Sequence, residues 1–146
     1  MDRVAELLNT ASKLGVTVRL HGADKIEALV PRRADAEAVA KEIFKHKPRV
    51  LETLRRQEFN RLYALVRASM SRVTEIYPEG GIAEAKRQGM WPKILGLEHS
   101  IDQALVDLDK ARLLGALEAL ERAWQEVTDK TAQRRRQNPP RLEATA

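Results

Sequence analysis

The chain has 146 residues, of which 43% are hydrophobic and 32% are charged, and its formal net charge is +5. This apolar content is enough for a core and exceeds that of an intrinsically disordered chain. The absence of cysteine excludes disulfides, thiolate metal sites and a cysteine nucleophile. The N-terminus does not read as a secretory signal, and no segment approaches the roughly 20 apolar residues of a membrane span. We therefore expect a cytoplasmic protein with no membrane partner.

The first elements in the chain are a helix and a β-hairpin. Apolar residues from Val4 to Leu14 recur at helical spacing, which predicts one buried helix face. Asp2 can cap the start of this helix, and Gly15 can end it in a left-handed conformation. Alternating apolar and polar residues over 16–21 and 26–30 then predict two strands joined by a turn.

Two further helices are predicted after the hairpin. Asp35 can cap the first of them, which is expected to end just before Pro48. From Pro48 to about Tyr77 the apolar spacing continues without an internal glycine or proline, which predicts one long helix.

The C-terminal half is also predicted to be helical. Breaks at 78–81 and 89–92 precede a helical pattern that runs to about residue 133. The apolar phase shifts near Asp109, which can cap a new helix. This favours a helical hairpin, with one unbroken helix as the alternative. We expect Trp124 to lie in the core and Trp91 to cover a core edge.

These elements predict an α+β fold that is mostly α. An N-terminal αββαα module over 1–56 continues through the long helix into a helical hairpin or bundle over 57–133. The basic segment 134–146 has little to bury, and we expect a flexible tail there.

The order and spacing of the N-terminal residues resemble a known family. The residues that carry this pattern are Leu7-Leu8, Gly15-Val16-Thr17-Val18, Asp24, Pro31, Ile43, His46-Lys47 and Val50-Leu51-Leu54. They are similar to the TubC N-terminal docking domain, which is found on hybrid nonribosomal peptide synthetases and on small proteins of bacteria and mobile elements. The chain departs from the family pattern at Ala23 and at Arg32-Arg33. About 90 helical residues follow, so the resemblance implies a docking fold without a role in peptide synthesis.

The resemblance also implies how a partner would bind. In the family the module is a dimer, and its hairpin receives a short acidic segment of the partner. An exposed strand edge accepts an extended peptide, and neighbouring cations select an acidic one. The matching candidates for partner binding are Arg19, His21, Lys25, Arg32 and Arg33. The alternative is that they are outward-facing strand residues that prevent edge-to-edge aggregation.

No residues indicate catalysis or a cofactor. His21, His46 and His99 are far apart and lack metal-ligand spacing. The serines have no nucleophile-elbow glycines beside them, and Gly80-Gly81 is not followed by the Lys of a phosphate loop. We therefore expect no catalytic residue, no metal and no cofactor, and a chain that is not an enzyme.

The sequence thus predicts a protein-docking adaptor that can also self-associate. The alternative is a nucleic-acid-binding accessory subunit of a replication, defence (CRISPR-type) or mobile-element complex. This alternative follows from the positive net charge and from basic residues on the long helix and near the C-terminus. The residues nominated for nucleic-acid contact are Lys45, Lys47, Arg49, Arg56, Arg67, Arg134, Arg135 and Arg136.

Overall fold

The computed structural model describes residues 2–22 and 24–138. In chain order these residues form α1 (Arg3–Lys13), β1 (Thr17–His21), β2 (Lys25–Leu29), α2 (Ala34–Lys45), α3 (Lys47–Ile76), α4 (Gly81–Arg87), α5 (Trp91–Val106) and α6 (Lys110–Gln137). Most of the described residues are helical, which confirms the predicted α+β, mostly α fold class. The chain divides into two compact units between Arg61 and Leu62, whereas the sequence placed a boundary after residue 56.

Both ends of α1 follow the predicted local chemistry. The Asp2 carboxylate accepts a hydrogen bond of 3.2 Å from the Val4 amide. At the other end Gly15 has φ +78°, and the Val16 amide donates to the Ala11 carbonyl at 2.8 Å. This is a Schellman ending, which satisfies the last carbonyls of the helix and turns the chain into β1.

The two strands form an antiparallel hairpin in a fixed register. Thr17 lies opposite Leu29, Arg19 opposite Glu27, and His21 opposite Lys25. These side chains share one face of the hairpin because successive strand residues point to opposite faces. The other face, which includes Val18 and Ile26, packs against the hydrophobic core of residues 1–61, which we call the first core.

The start of α2 corrects one prediction. Asp35 is not the N-cap residue, because the helix begins at Ala34 and the N-cap residue is Arg33. Asp35 instead lies in the first turn, where its carboxylate accepts a hydrogen bond from the Ala36 amide at 2.8 Å. The positive end of the helix dipole also stabilises an acidic side chain at this position.

The long helix α3 spans 30 residues, in agreement with the sequence prediction. Within residues 1–61 its Val50 is fully buried in the first core. The other buried residues of this core are Val4, Ala11, Val16, Ala36 and Ile43.

The second core lies within residues 62–138. It receives Leu62 and Val73 from α3, and Trp124 is its one buried aromatic residue among those that the structure describes. Trp91 is partly buried and packs against the edge of this core. Both tryptophan predictions are therefore confirmed.

The turn between α5 and α6 establishes the helical hairpin in place of one unbroken helix. The Asp109 carboxylate caps α6 by accepting from the Arg112 amide at 3.1 Å. Leu108 takes φ +52°, and the Asp109 amide donates to the Ala104 carbonyl at 2.9 Å. This is the same Schellman geometry as at Gly15, but with a leucine in the left-handed position, which costs about 1–2 kcal/mol.

The end of α6 corrects the predicted start of the tail. The helix continues to Gln137, so the segment 134–136 forms its last turn and is not part of a flexible tail. Tertiary contacts stabilise this last turn, because Arg134 and Arg135 contact carboxylates more than 40 residues away in sequence. Residues 139–146 of the predicted tail lie outside the described residues.

We predict that Gly15→Ala destabilises residues 1–61 by about 1–2 kcal/mol, since alanine disfavours a positive φ. The added Cβ would also lie 3.3 Å from Pro31 Cγ. Urea unfolding of the full chain, with hydrogen exchange to follow α1 and α5 separately, measures the effect.

Gly96→Ala is the matched control. This glycine lies inside α5 with no atom near its missing Cβ, so alanine should stabilise residues 62–138 by about 0.5–1 kcal/mol. An unchanged exchange rate in α1 of the Gly15→Ala chain would show that the left-handed turn is not required.

Candidate functional site

Two of the nominated hairpin cations face a carboxylate of the same hairpin. Arg19 Nε donates to Glu27 Oε2 at 3.0 Å, directly across the strand pair. His21 Nδ1 lies 3.9 Å from the same oxygen. The hydrogen bond from Arg19 lowers the pKa of Glu27 below its usual range. An acidic ligand would therefore have to compete with Glu27 for both side chains.

A third nominated residue, Arg33, also has a partner within the chain. Its Nη2 and Nε donate to the two carboxylate oxygens of Asp35 at 2.8 and 3.2 Å. This two-point contact holds the start of α2 and lowers the pKa of Asp35. Arg33 thus stabilises the start of α2, a structural role that the sequence did not indicate.

The remaining hairpin cations are Lys25 and Arg32. Both side chains are exposed, and within the described residues neither has a carboxylate within 4.0 Å. Of the five residues nominated for partner binding, these two are the ones whose charge is not matched locally.

A groove of about 240 Å³ borders β1. Residues 16–18 form one side of it, Leu8 and Ser12 of α1 a second, and Leu54 and Gln57 of α3 a third. Among the described residues β1 is hydrogen-bonded to β2 alone, so its other edge has no strand partner. We call this feature the β1 groove. A groove with apolar and polar lining residues beside an unpaired strand edge is an arrangement to which an extended peptide can add.

Half of the residues nominated for nucleic-acid contact are engaged with carboxylates. The pairs are Lys45–Glu42, Arg56–Glu52, Arg134–Glu84 and Arg135–Glu79, with N–O distances of 3.8, 3.2, 2.5 and 3.5 Å. Arg67 lies over the Tyr63 ring, 5.3 Å from its centre. Lys47, Arg49 and Arg136 form no ion pair with the residues described. The positive charge of the residues nominated for nucleic-acid contact is therefore partly neutralised.

His46 is the C-cap residue of α2, whereas His99 lies within α5. His46 Nε2 is 3.2 Å from Glu42 Oε1 at the end of α2, and His99 is exposed on α5. Within residues 2–22 and 24–138 no group of three or more His, Asp or Glu side chains could hold a metal ion. In the same ranges, no helix is both long enough and apolar enough to cross a bilayer.

Sequence reasoning missed a charge cluster around the buried Glu84, between α4 and α6. Glu84 is only 8% exposed and accepts hydrogen bonds from Arg87 at 2.5 and 2.7 Å and from Arg134 at 2.5 Å. Gln88 adds bonds to the Val127 carbonyl and to the Thr131 hydroxyl, at 3.1 and 3.0 Å. Glu84 and Arg134 are 50 residues apart, so only the folded chain reveals the pair. This cluster joins two helices, which suits a structural role.

We predict that Glu84→Gln destabilises residues 62–138 at neutral pH. The hydrogen bond from Arg87 and the charge of Arg134 lower the pKa of Glu84 in the folded chain. Its stabilisation is therefore complete above the unfolded glutamate pKa of about 4.3, and it is lost as the pH falls through the lower folded value.

The measurement is urea unfolding between pH 7 and pH 3. The parent chain should lose more stability than Glu84→Gln over this range, so that the two curves converge at acid pH. Glu118→Gln is the control, because that carboxylate pairs with Arg122 on the exposed surface of α6 and should change little. Parallel curves for parent and Glu84→Gln would contradict the role of the cluster.

Comparison with protein-family models, with curated proteins and with solved structures finds no match for this chain. The contacts, charges and grooves of the described residues are therefore the basis on which a function has to be argued.

Proposed function

We propose that the chain is a non-enzymatic docking adaptor that binds an extended, acidic segment of a partner protein at the β1 groove. The observation that carries this proposal is the unpaired edge of β1 beside a groove that is lined in part by leucine and valine side chains. Main-chain hydrogen bonds to a strand edge provide affinity, and alternate side chains of the added peptide select the sequence.

The groove has an apolar part that suits such a peptide. Leu8, Val18 and Leu54 line it and are each only partly buried, so their remaining apolar surface is open to a ligand. Burial of apolar surface contributes roughly 25 cal/mol per Å², which makes one or two apolar ligand side chains sufficient for a weak, reversible contact.

The charge of the hairpin supports the acidic character of the partner. Lys25 and Arg32 are exposed, and no carboxylate oxygen of the described residues lies within 4.0 Å of their side-chain nitrogens. Arg19 and Arg33, in contrast, form ion pairs with Glu27 and Asp35. Exposed cations near a binding surface mainly raise the association rate and exclude basic competitors. The resemblance to the TubC docking domain points to the same class of partner.

We predict that peptides selected from a random library against the full chain are rich in Asp and Glu. Lys25→Glu combined with Arg32→Glu should weaken the selected peptides about tenfold, because two attractive charges become repulsive. Fluorescence anisotropy with a labelled peptide gives the Kd. Lys41→Glu is the control for a general effect of charge reversal, since Lys41 is exposed on α2 and is not part of the hairpin.

A second variant tests the groove independently of charge. Ser12 is exposed and lines the groove, so Ser12→Trp should fill the space and weaken binding without disturbing the core. Hydrogen exchange should show protection of the β1 amides when the peptide is present. Selected peptides without acidic enrichment, or binding that Ser12→Trp leaves unchanged, would contradict the proposal.

The nucleic-acid alternative makes a different prediction. Contacts to phosphates release counterions, so affinity for DNA or RNA would fall steeply as salt rises. Because four of the nominated cations contact carboxylates, we expect no such binding to labelled duplex DNA or single-stranded RNA at 50 mM salt. Tight binding that decreases strongly between 50 and 200 mM salt would favour the alternative over the docking adaptor.

A further inference from the structure

Residues 62–138 contain an open groove of about 780 Å³, which we call the α3–α5 groove. Met70 and Thr74 of α3 and the adjoining Tyr77 line one side, and Trp91 and Glu98 of α5 line the other. The volume is larger than that of the β1 groove, and the lining residues belong to a different part of the sequence.

The groove has a preformed aromatic floor. Trp124 is 4% exposed, and the Tyr77 ring lies against it with 4.7 Å between ring centres. Gly81 leaves room for Tyr77, because a Cβ there would lie 2.1 Å from the nearest atom of that ring. A site held in this way requires little rearrangement on binding, which lowers the entropic cost of association.

Apolar side chains at the groove remain exposed in the free chain. Met70, Tyr77 and Ile82 are 36%, 43% and 46% exposed, and all three line the groove. Leu95, at 46%, lies between Trp91 and Glu98 on the same face of α5 by helical spacing. Contiguous exposed apolar surface of this kind marks an interaction site.

The spacing of the lining residues indicates the shape of the ligand. On α5 the lining positions 91 and 98 are seven residues apart, about two turns or roughly 10 Å. The lining positions 70 and 77 are also seven residues apart in sequence. An amphipathic helix fits a hydrophobic groove of this type through residues at i, i+3 or i+4, and i+7.

The charge of the rim indicates the partner's polar residues. Among the described residues that line the groove, the ionisable carboxylates are Glu79 and Glu98, and no lysine or arginine is present. Glu79 is 87% exposed at its side chain and contacts Arg135 at 3.5 Å. The Lys86 ammonium lies 5.9 Å from the centre of the Trp91 ring, and Glu79 is already paired with Arg135, so cationic partner residues belong beside Glu98.

The geometry points to a second docking surface, and we propose that the α3–α5 groove binds a basic amphipathic helix of a partner protein. The partner helix places two or three apolar residues over Tyr77, Ile82 and Trp91, and flanks them with lysine or arginine. This site is independent of the β1 groove, so each of the two surfaces can be tested alone.

The test uses the full chain and two synthetic 14-residue helical peptides. Both peptides carry leucine on one face, and the opposite face is lysine in one and glutamate in the other. Neither contains tryptophan, so the fluorescence of Trp91 and Trp124, the chain's two tryptophans, reports on the groove. Because the chain has a net charge of +5, general attraction would favour the glutamate peptide, whereas the groove favours the lysine peptide.

We expect the lysine peptide to bind at least tenfold more tightly than the glutamate peptide. Ile82→Arg should weaken the lysine peptide about tenfold, because a charged side chain would occupy the apolar lining. Glu98→Lys should reduce or reverse the preference between the two peptides. Val106→Arg is the matched control, since Val106 is 73% exposed on α5 and does not line the groove.

Three results would overturn the proposal. Equal affinity for both peptides would remove the requirement for a basic partner. Peptide binding that Ile82→Arg and Glu98→Lys leave unchanged would place the contact elsewhere. A dimer in sedimentation velocity without peptide, dissociated by Ile82→Arg but not by Val106→Arg, would identify a second copy of the chain as the occupant. Circular dichroism confirms that each variant is folded before its result is interpreted.

Discussion

The burial of the apolar residues of α3 is the interaction on which both cores depend. Val50 and Leu54 complete the core of residues 1–61, and Leu62 and Val73 enter the core of residues 62–138. The chain has only 4% aromatic residues, so aliphatic packing must provide most of the stabilisation. Deleting one fully buried aliphatic side chain, such as Val50 or Leu62, removes contacts that cannot be replaced and leaves a cavity.

Part of the positive charge of the described residues is matched by carboxylates. Arg19, Arg33 and Arg56 contact carboxylates close by in sequence or across the hairpin. Such exposed pairs add little stability, but they reduce the cationic surface available to an external anion. Lys25, Arg32 and Glu98 are among the described residues that form no ion pair within 4.0 Å.

Elements with local signals could be predicted from the sequence. Asp2, Gly15 and Asp109 act on neighbouring backbone groups, so their spacing was sufficient to place the ends of α1 and the start of α6. The start of α2 was displaced because the Arg33–Asp35 contact takes up the aspartate that the sequence suggested as a cap.

Features that join distant segments could not be predicted. The last turn of α6 requires Glu84 and Glu79, which become neighbours of Arg134 and Arg135 only in the folded chain. The ion pair between Arg19 and Glu27 depends on the strand register, which the hydrophobic periodicity alone does not determine. The α3–α5 groove depends on which apolar residues stay exposed after packing, and a hydrophobic pattern does not distinguish those from core residues.

The left-handed backbone at Leu108 limits which residues can replace it during evolution. Glycine or asparagine would relieve the strain, whereas valine, isoleucine or threonine would increase it because their branched Cβ is incompatible with a positive φ. Distant relatives should therefore show glycine or asparagine at this position more often than a β-branched residue. Together with the glycines at positions 15, 22, 80 and 89, which also have positive φ, Leu108 defines a backbone fingerprint. Such a fingerprint could align relatives whose side chains have diverged beyond the reach of ordinary sequence comparison.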